Sequence, residues 1–575
     1  MEFINPSHPY FEQLEKAKKF FDIREIGFFS SFTKNQHLHM RFKKITLACC
    51  VIAQLATAQT DKALQYAETI TADDLKKHLT VIAADDMEGR DTGSPGQKKA
   101  AQYISKHFFD IGLNPIVPTD ANTKSYFQPF TLFKKGWKEA YIKTEKGINS
   151  NFFKNFYPNG LFSVATEQTL PTVFAGYGIE SEAYSDYHDL DVKDKIVVFF
   201  EGEPMGKDGT FASTRTLQPS DWNGSKGLAK KVALARAKGA KHVFVVASSN
   251  NEAGFIRQAS ERRAMLSRYN RLTFEPSKDN SQAQFASLTI TRALAAEILD
   301  VRKRKIKRLQ RKINKSGVTT AGTIDESQVS FKAERGDEEV QSENVLAIVE
   351  GSEKTDEYIF ITAHYDHIGI TEKGEINNGA DDDGSGTCAV LEIAEAFAKA
   401  KAEGNGPKRN VVFMTVAGEE KGLLGSQYFT DKKPEIPLEK IVCDLNIDMI
   451  GRVDKDHKGD DKYTYLIGSD KLSSELHAIS EETNKKYINF KLDYTYNDEK
   501  DPNQFYYRSD HYNFAKNKIP VIFYFTGVHE DYHRPTDDVE KILFPKYEKI
   551  TRLVFLTAWN LANRDERIKV DSSKK

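Results

Sequence analysis

Tyr358-Ile359-Phe360-Ile361-Thr362, running directly into Ala363-His364-Tyr365-Asp366-His367, decides the architecture of this 575-residue chain. Its first half is an unbroken apolar run of strand length, the pattern of a strand buried on both faces. Similar runs surround it: Val345 to Val349 before, then Val411 to Val416, Ile441 to Ile447 and Val521 to Phe525. Ala389, Val390, Ile393, Ala394 and Phe397 put one apolar face on a helix spanning about 385–402. Apolar strands separated by helices predict an α/β fold, with a mostly parallel central sheet and helices on both faces. In such a sheet the expected site is the crevice beyond the carboxyl ends of the strands.

Five groups of polar residues fall at those ends. His364-Tyr365-Asp366-His367 follows the second strand, and Asn378-Gly379-Ala380-Asp381-Asp382-Asp383-Gly384-Ser385-Gly386 precedes the helix. Gly418-Glu419-Glu420 follows the third strand, and Asp448 ends the fourth. His529-Glu530-Asp531-Tyr532-His533-Arg534-Pro535-Thr536-Asp537 lies beyond the fifth. Two imidazoles and three carboxylates, on five separate elements, can converge. Nitrogen and oxygen donors without thiolate suit zinc. Five ligands exceed the three that one catalytic zinc takes from protein, but they suit two metals about 3.5–4 Å apart sharing a carboxylate. Burying that much negative charge without cations would be prohibitively costly.

These residues resemble the motif set of the co-catalytic zinc exopeptidases, the M-twenty-eight family of bacterial leucyl aminopeptidases and glutamate carboxypeptidases. The resemblance rests on Ala363 to His367, Gly379 to Gly386, Ala417-Gly418-Glu419-Glu420-Lys421-Gly422, Asn446-Ile447-Asp448-Met449-Ile450-Gly451, Arg508-Ser509-Asp510-His511 and His533-Arg534-Pro535-Thr536-Asp537. It covers about 342–560 plus Met87-Glu88-Gly89-Arg90. It implies a phosphorylase/hydrolase-like α/β fold and a zinc-dependent exopeptidase acting on peptides, foremost an aminopeptidase. It implies two zinc ions: His364 and Asp448 on one, Glu420 and His533 on the other, Asp382 bridging. It further implies a cis peptide bond at Asp382–Asp383 and Glu419 as general base. Asp366 would orient His364, and Asp537 would support His533, as carboxylates commonly do for metal-bound imidazole. Tyr532 either assists the oxyanion or packs as an aromatic. Arg508 either contacts substrate or pairs with a nearby acid.

Alternatives stay open at this point. A metallocarboxypeptidase of the same family would use Arg452 or Arg508 for the substrate carboxylate. Glutaminyl cyclase relatives use one zinc, which the complete ligand set disfavours. A non-catalytic, receptor-like binding protein would have lost ligands or the base, and none is missing.

The remaining chain sets the context. Lys plus Arg total 82 and Asp plus Glu 83, so the formal charge is −1, which argues against a nucleic-acid partner. Four cysteines exclude a disulfide scaffold. Met40-Arg41-Phe42-Lys43-Lys44, the apolar stretch Ile45 to Ala58 and the ending Ala56-Thr57-Ala58 predict a signal peptide over 40–58. Residues 1–39 are then a leader that is not translated or is disordered, and the protein is secreted or periplasmic. The apolar part, which contains Cys49 and Cys50, is too short to span a bilayer, and no other segment approaches that length. Residues 61–160 read as the first part of the peptidase domain and 342–565 as its main part. Residues 165–335 resemble an inserted protease-associated domain, mainly through Phe174 to Ile179 and Asp191 to Phe200. Within it, 251–285 reads as polar and irregular. Nine Lys/Arg between Arg302 and Lys315 cover a helical stripe of Leu299, Ile306, Leu309 and Ile313, the pattern of a solvated helix face.

Overall fold

Lys354–His364 pairs in parallel with Arg409–Val416 on one side and Ile441–Ile447 on the other, and Val521–Phe525 continues the parallel set beyond Ile441–Ile447. These contacts come from a computed structural model, which describes residues 62–249, 251–267, 271–276 and 285–571. The leader and signal peptide expected over 1–58, with Cys49 and Cys50, lie outside the described residues. The chain divides into two compact units, Met1–Tyr66 and Ala67–Lys575. The described residues 62–66 of the first are helical, and the second carries the sheet and its helices.

Every residue of Arg409–Val416, Ile441–Ile447 and Val521–Phe525 is buried, as unbroken apolar runs require. Side chains on successive positions serve opposite faces. Phe413 meets Phe397 of the helix Gly386–Ala402, with ring centroids 6.1 Å apart. Phe397 in turn meets Phe555 of the helix Phe544–Asn563 at 4.9 Å. On the other face Phe360 packs on Phe429 and Phe514. Helices therefore cover both faces, as the strand composition predicts.

The sheet departs from the expectation at its margins. Val345 to Val349 is the end of a 22-residue strand, Gln328–Val349, that runs antiparallel to Arg409–Val416. Tyr463–Ile467, not foreseen, lies antiparallel to Val521–Phe525. It escapes notice because Thr464 and the two tyrosines break its apolar run. Gln328–Val349 also pairs along most of Phe127–Thr144. The chain thus leaves the main sheet on one long strand and returns on its partner.

Between these two strands lies a layer with its own cores. Val164–Phe174, Ile196–Phe200, His242–Val246 and Ser287–Ile290 are parallel neighbours in that order. Val173, Val197, Val243 and Val245 build one buried cluster, and Phe174, Val198, Phe244 and Leu288 another. Asp186 ties the exit of the first strand. It is fully buried and accepts the N–H groups of Tyr177 and Ile179 at 3.0 and 3.2 Å and the Tyr184 hydroxyl at 2.6 Å. Gly176 has φ +47°, and a Cβ there would stand 2.1 Å from Asp186 Oδ1, so only glycine fits. The stretch expected to be irregular contains the helix Glu252–Ser267, which buries Phe255, Ala259 and Leu266. Its mostly polar composition hides that sparse stripe. The basic segment is the helix Lys303–Ser316, with Ile306, Leu309 and Ile313 buried and its cations exposed.

In the N-terminal part, Ser94 caps the helix Pro95–Asp110 by accepting the Gln97 N–H at 3.2 Å, with proline in the first turn. Among the described residues no helix is long and apolar enough to cross a membrane.

Candidate metal centre

Parallel strands end at a common edge, which brings the polar groups together. His364 is the last residue of Lys354–His364, Asp448 follows Ile441–Ile447, and Glu419 and Glu420 lie just past Arg409–Val416. The loop that carries Asp382 needs a special backbone. Gly379 has φ +55°, and a Cβ there would stand 2.3 Å from the Asp382 carbonyl oxygen and 2.6 Å from the His367 ring. The Asp382–Asp383 peptide bond is cis. Asp383 is buried and accepts N–H groups from His364, Gly386 and Met449, so one carboxylate ties three of the converging segments.

The donors form two groups that meet at Asp382. Its Oδ1 lies 3.4 Å from His364 Nε2, which is also 3.6 Å from Asp448 Oδ1 and 3.9 Å from Glu419 Oε2. Its Oδ2 lies 3.1 Å from His533 Nε2, which is 3.1 Å from Glu420 Oε2. All five expected ligands and Glu419 are thus brought together. Ser509 donates its hydroxyl to Asp448 Oδ2 at 2.7 Å and orients that carboxylate.

A sixth group was not anticipated. His367 is fully buried, and its Nδ1 lies 2.8 Å from Glu420 Oε1 and 3.8 Å from Asp382 Oδ2. It stands three residues past His364 in the same quoted stretch, but spacing alone does not show which way a loop side chain turns.

Two supporting roles differ from expectation. Asp366 does not reach His364 with its carboxylate, which stands 3.9 Å from Nδ1. His364 Nδ1 instead bonds the Asp366 backbone carbonyl at 3.0 Å. The carboxylate accepts the Thr92 hydroxyl at 2.7 Å and the Glu419 N–H at 3.2 Å, so it positions the Glu419 backbone. Asp537 does not support His533. Its Oδ2 accepts the N–H groups of Asp381 and Asp382 at 3.0 and 3.1 Å and so holds the loop that carries Asp382. Both carboxylates face backbone donors because tight loops leave N–H groups that need acceptors.

Arg90 joins the N-terminal part to this edge. It is fully buried and donates to the carbonyls of Tyr365, Ile82, Asn378 and Gly379 at 2.8, 2.8, 2.7 and 2.9 Å. Tyr532 stacks on the His533 ring, centroids 3.8 Å apart, and lines the cleft above the donors with Arg508, Phe505 and Val528. Arg508 lies over the Phe505 ring at 4.9 Å and makes no ion pair among the described residues. Arg452 is tied to Asp531 at 3.1 Å.

The electrostatics show what the donor set lacks. Burial alone would lower the His364 pKa, but the Glu419 and Asp448 carboxylates raise it well above the usual imidazole value. Burial likewise opposes charge on His533, yet Asp382 and Glu420 raise it to about 10. Burial pushes the Glu419 carboxyl well above the usual range. Asp382 Oδ2, Glu420 Oε1 and both ring nitrogens of His367 are buried without a hydrogen bond. Four crowded carboxylates, two of them with an oxygen that no hydrogen bond satisfies, fit a cation rather than protein partners. The nitrogen and oxygen donors fit a zinc-class ion.

Residues 344–558 match the model of Peptidase family M28. A probable zinc metalloprotease of Leptosphaeria maculans is 34% identical over 130 residues, 22% of this chain and 28% of that protein. Aminopeptidase YwaD of Bacillus subtilis is 31% identical over 19% of this chain and 22% of its own. A probable leucine aminopeptidase of Arthroderma otae is 28% identical over 40% and 61%. The chain therefore spans less than a third of the length of the first two relatives. Among solved structures, a zinc aminopeptidase from Bacillus subtilis is 17% identical, covering 88% of this chain and 99% of that one at a TM-score of 0.42.

Proposed function

We propose that this chain, a member of peptidase family M28 over residues 344–558, is a zinc-dependent aminopeptidase that releases N-terminal residues from peptides. One observation carries this reading. The two oxygens of Asp382 face two separate imidazole-and-carboxylate groups, at 3.4 Å from His364 and 3.1 Å from His533. That is the disposition of a carboxylate shared by two ions. His364 and Asp448 would hold one zinc, and His533 and Glu420 the other. His367, against Glu420, would hold that carboxylate in place.

Bound zinc would supply Lewis acidity and lower the pKa of a water molecule. The protein does the rest. Glu419, fixed through its backbone by Asp366, takes the proton of the attacking water and delivers it to the leaving amine. Burial raises its carboxyl above the usual carboxylate range, the direction that strengthens a general base. The Tyr532 hydroxyl is the candidate donor to the carbonyl oxygen, and Arg508 the cation that a substrate meets. The ion pair of Arg452 with Asp531 leaves Arg508 as the cation that the carboxypeptidase alternative would use. Residues 165–335 we read as the inserted protease-associated domain.

A panel of aminoacyl and peptidyl substrates, blocked or free at each end, tests the function. Hydrolysis is expected only with a free amine, and a chelator should abolish it. Cleavage of amine-blocked peptides that requires a free carboxylate would replace the reading with a carboxypeptidase. We also propose export through the segment 40–58. N-terminal sequencing of the exported protein should give a start close to Gln59, and a mature chain that retains 40–58 would refute the export signal.

A further inference from the structure

We propose a second metal site, away from the catalytic edge, in which His78, His107, Glu392 and Glu395 hold one zinc-class ion that clamps the N-terminal helices to the helix after the Asp382 loop. His78 comes from Ala72–Ile82, His107 from Pro95–Asp110, and both glutamates from Gly386–Ala402. The two parts of the chain are nearly 300 residues apart in sequence, so the fold alone assembles this group. Glu392 and Glu395 lie roughly two turns along the helix that begins at Gly386.

The geometry is that of a ligand set. Donor atoms of His78, His107 and Glu395 all lie within 4.8 Å of one another. His78 Nε2 stands 3.3 Å from Glu392 Oε1, and His107 Nε2 stands 3.9 Å from Glu395 Oε2. Donors around a tetrahedral zinc at about 2.1 Å sit roughly 3.4 Å apart. The first separation already fits. The second closes by a small turn of Glu395, whose side chain is 53% exposed and leaves an entry path.

The hydrogen bonds around the cluster point the same way. His78 Nδ1 bonds the Tyr103 hydroxyl at 2.8 Å, which leaves Nε2 facing inward. His107 has a backbone hydrogen bond to Leu391. An outer hydrogen bond that orients the ring is the usual support of a metal-bound imidazole. On the inner side, His107 Nε2 and Glu392 Oε1 are buried and satisfy no hydrogen bond. Glu392 is only 3% exposed, so apart from His78 Nε2 at 3.3 Å its Oε1 has little access to water. The imidazole rings meet edge-on, centroids 4.6 Å apart, directly beside the carboxylates. Two imidazole nitrogens and two carboxylates make a donor set suited to one zinc-class ion.

Zinc counting tests the site without relying on the catalytic reading. Metal-stripped chain is reconstituted with Zn2+, passed through gel filtration and analysed for metal per chain. His107→Ala is expected to hold one ion fewer than the wild type, with kcat/KM on an aminoacyl substrate unchanged. A chain carrying His364→Ala and Asp382→Ala is expected to keep one ion, which His107→Ala then removes. Equal ion counts with and without His107 would overturn the proposal. If His107→Ala does not fold, Glu395→Gln at the exposed rim should weaken the ion by about tenfold or more. Unchanged affinity in that variant would equally overturn it.

Discussion

Glu419→Gln is expected to lower kcat by about 10²–10⁴-fold, the range a positioned general base contributes, while the metal content stays at the wild-type level. The substitution keeps the shape of the side chain and removes only its ability to accept a proton. Its backbone stays in place, because the hydrogen bond from the Glu419 N–H to Asp366 does not involve the side chain. His364 Nε2 lies 3.9 Å from Glu419 Oε2 but closer to Asp382 Oδ1, at 3.4 Å, and Asp448 Oδ1, at 3.6 Å. Ions held by Asp382, Asp448 and Glu420 would therefore remain. Turnover and metal content measured on the same preparation separate the two roles. A comparable kcat would refute the base assignment, and loss of an ion would make Glu419 a ligand instead.

Arg90→Met is expected to destabilise the chain by about 3–5 kcal/mol, the loss typical of breaking a buried charged network. The guanidinium is fully buried and donates to four carbonyls, those of Ile82, Tyr365, Asn378 and Gly379. Methionine fills the space but satisfies none of them, and each unpaired buried acceptor costs about 1–3 kcal/mol. Net stabilities of about 5–15 kcal/mol leave little margin for such a loss. Arg90→Lys should not rescue, since one ammonium cannot present a planar fork to acceptors on three sides. Tyr365 follows the proposed ligand His364, and Gly379 opens the loop of Asp382. Metal affinity should therefore fall along with the denaturation midpoint. An unchanged midpoint would mean that the carbonyls find other donors and that Arg90 is dispensable.

These two residues differ in how far the sequence marks them. Glu419 comes after a buried strand beside Glu420, so its place at the edge was legible, while its proposed role as base came with the family resemblance. Arg90 lies 275 to 289 residues before three of its four partners, and although the resemblance takes in Met87 to Arg90, no local pattern shows that the arginine serves backbone carbonyls. Asp366 and Asp537 were legible as members of the site but not in their tasks. Each serves N–H groups rather than the expected imidazoles.

The amino-acid sequence by itself determined the parallel sheet and the edge at which the chemistry sits. Unbroken apolar runs such as Ile441–Ile447 can be stable only with both faces covered, and the polar residues after each parallel run must emerge at the same edge. Tertiary structure alone decided the antiparallel margins, the inward turn of His367 and the meeting of His78 and His107 with Glu392 and Glu395. Strand burial is a property of composition along a few residues. The direction of a loop side chain, and the partner it meets across hundreds of residues, depend on how the helices and loops pack.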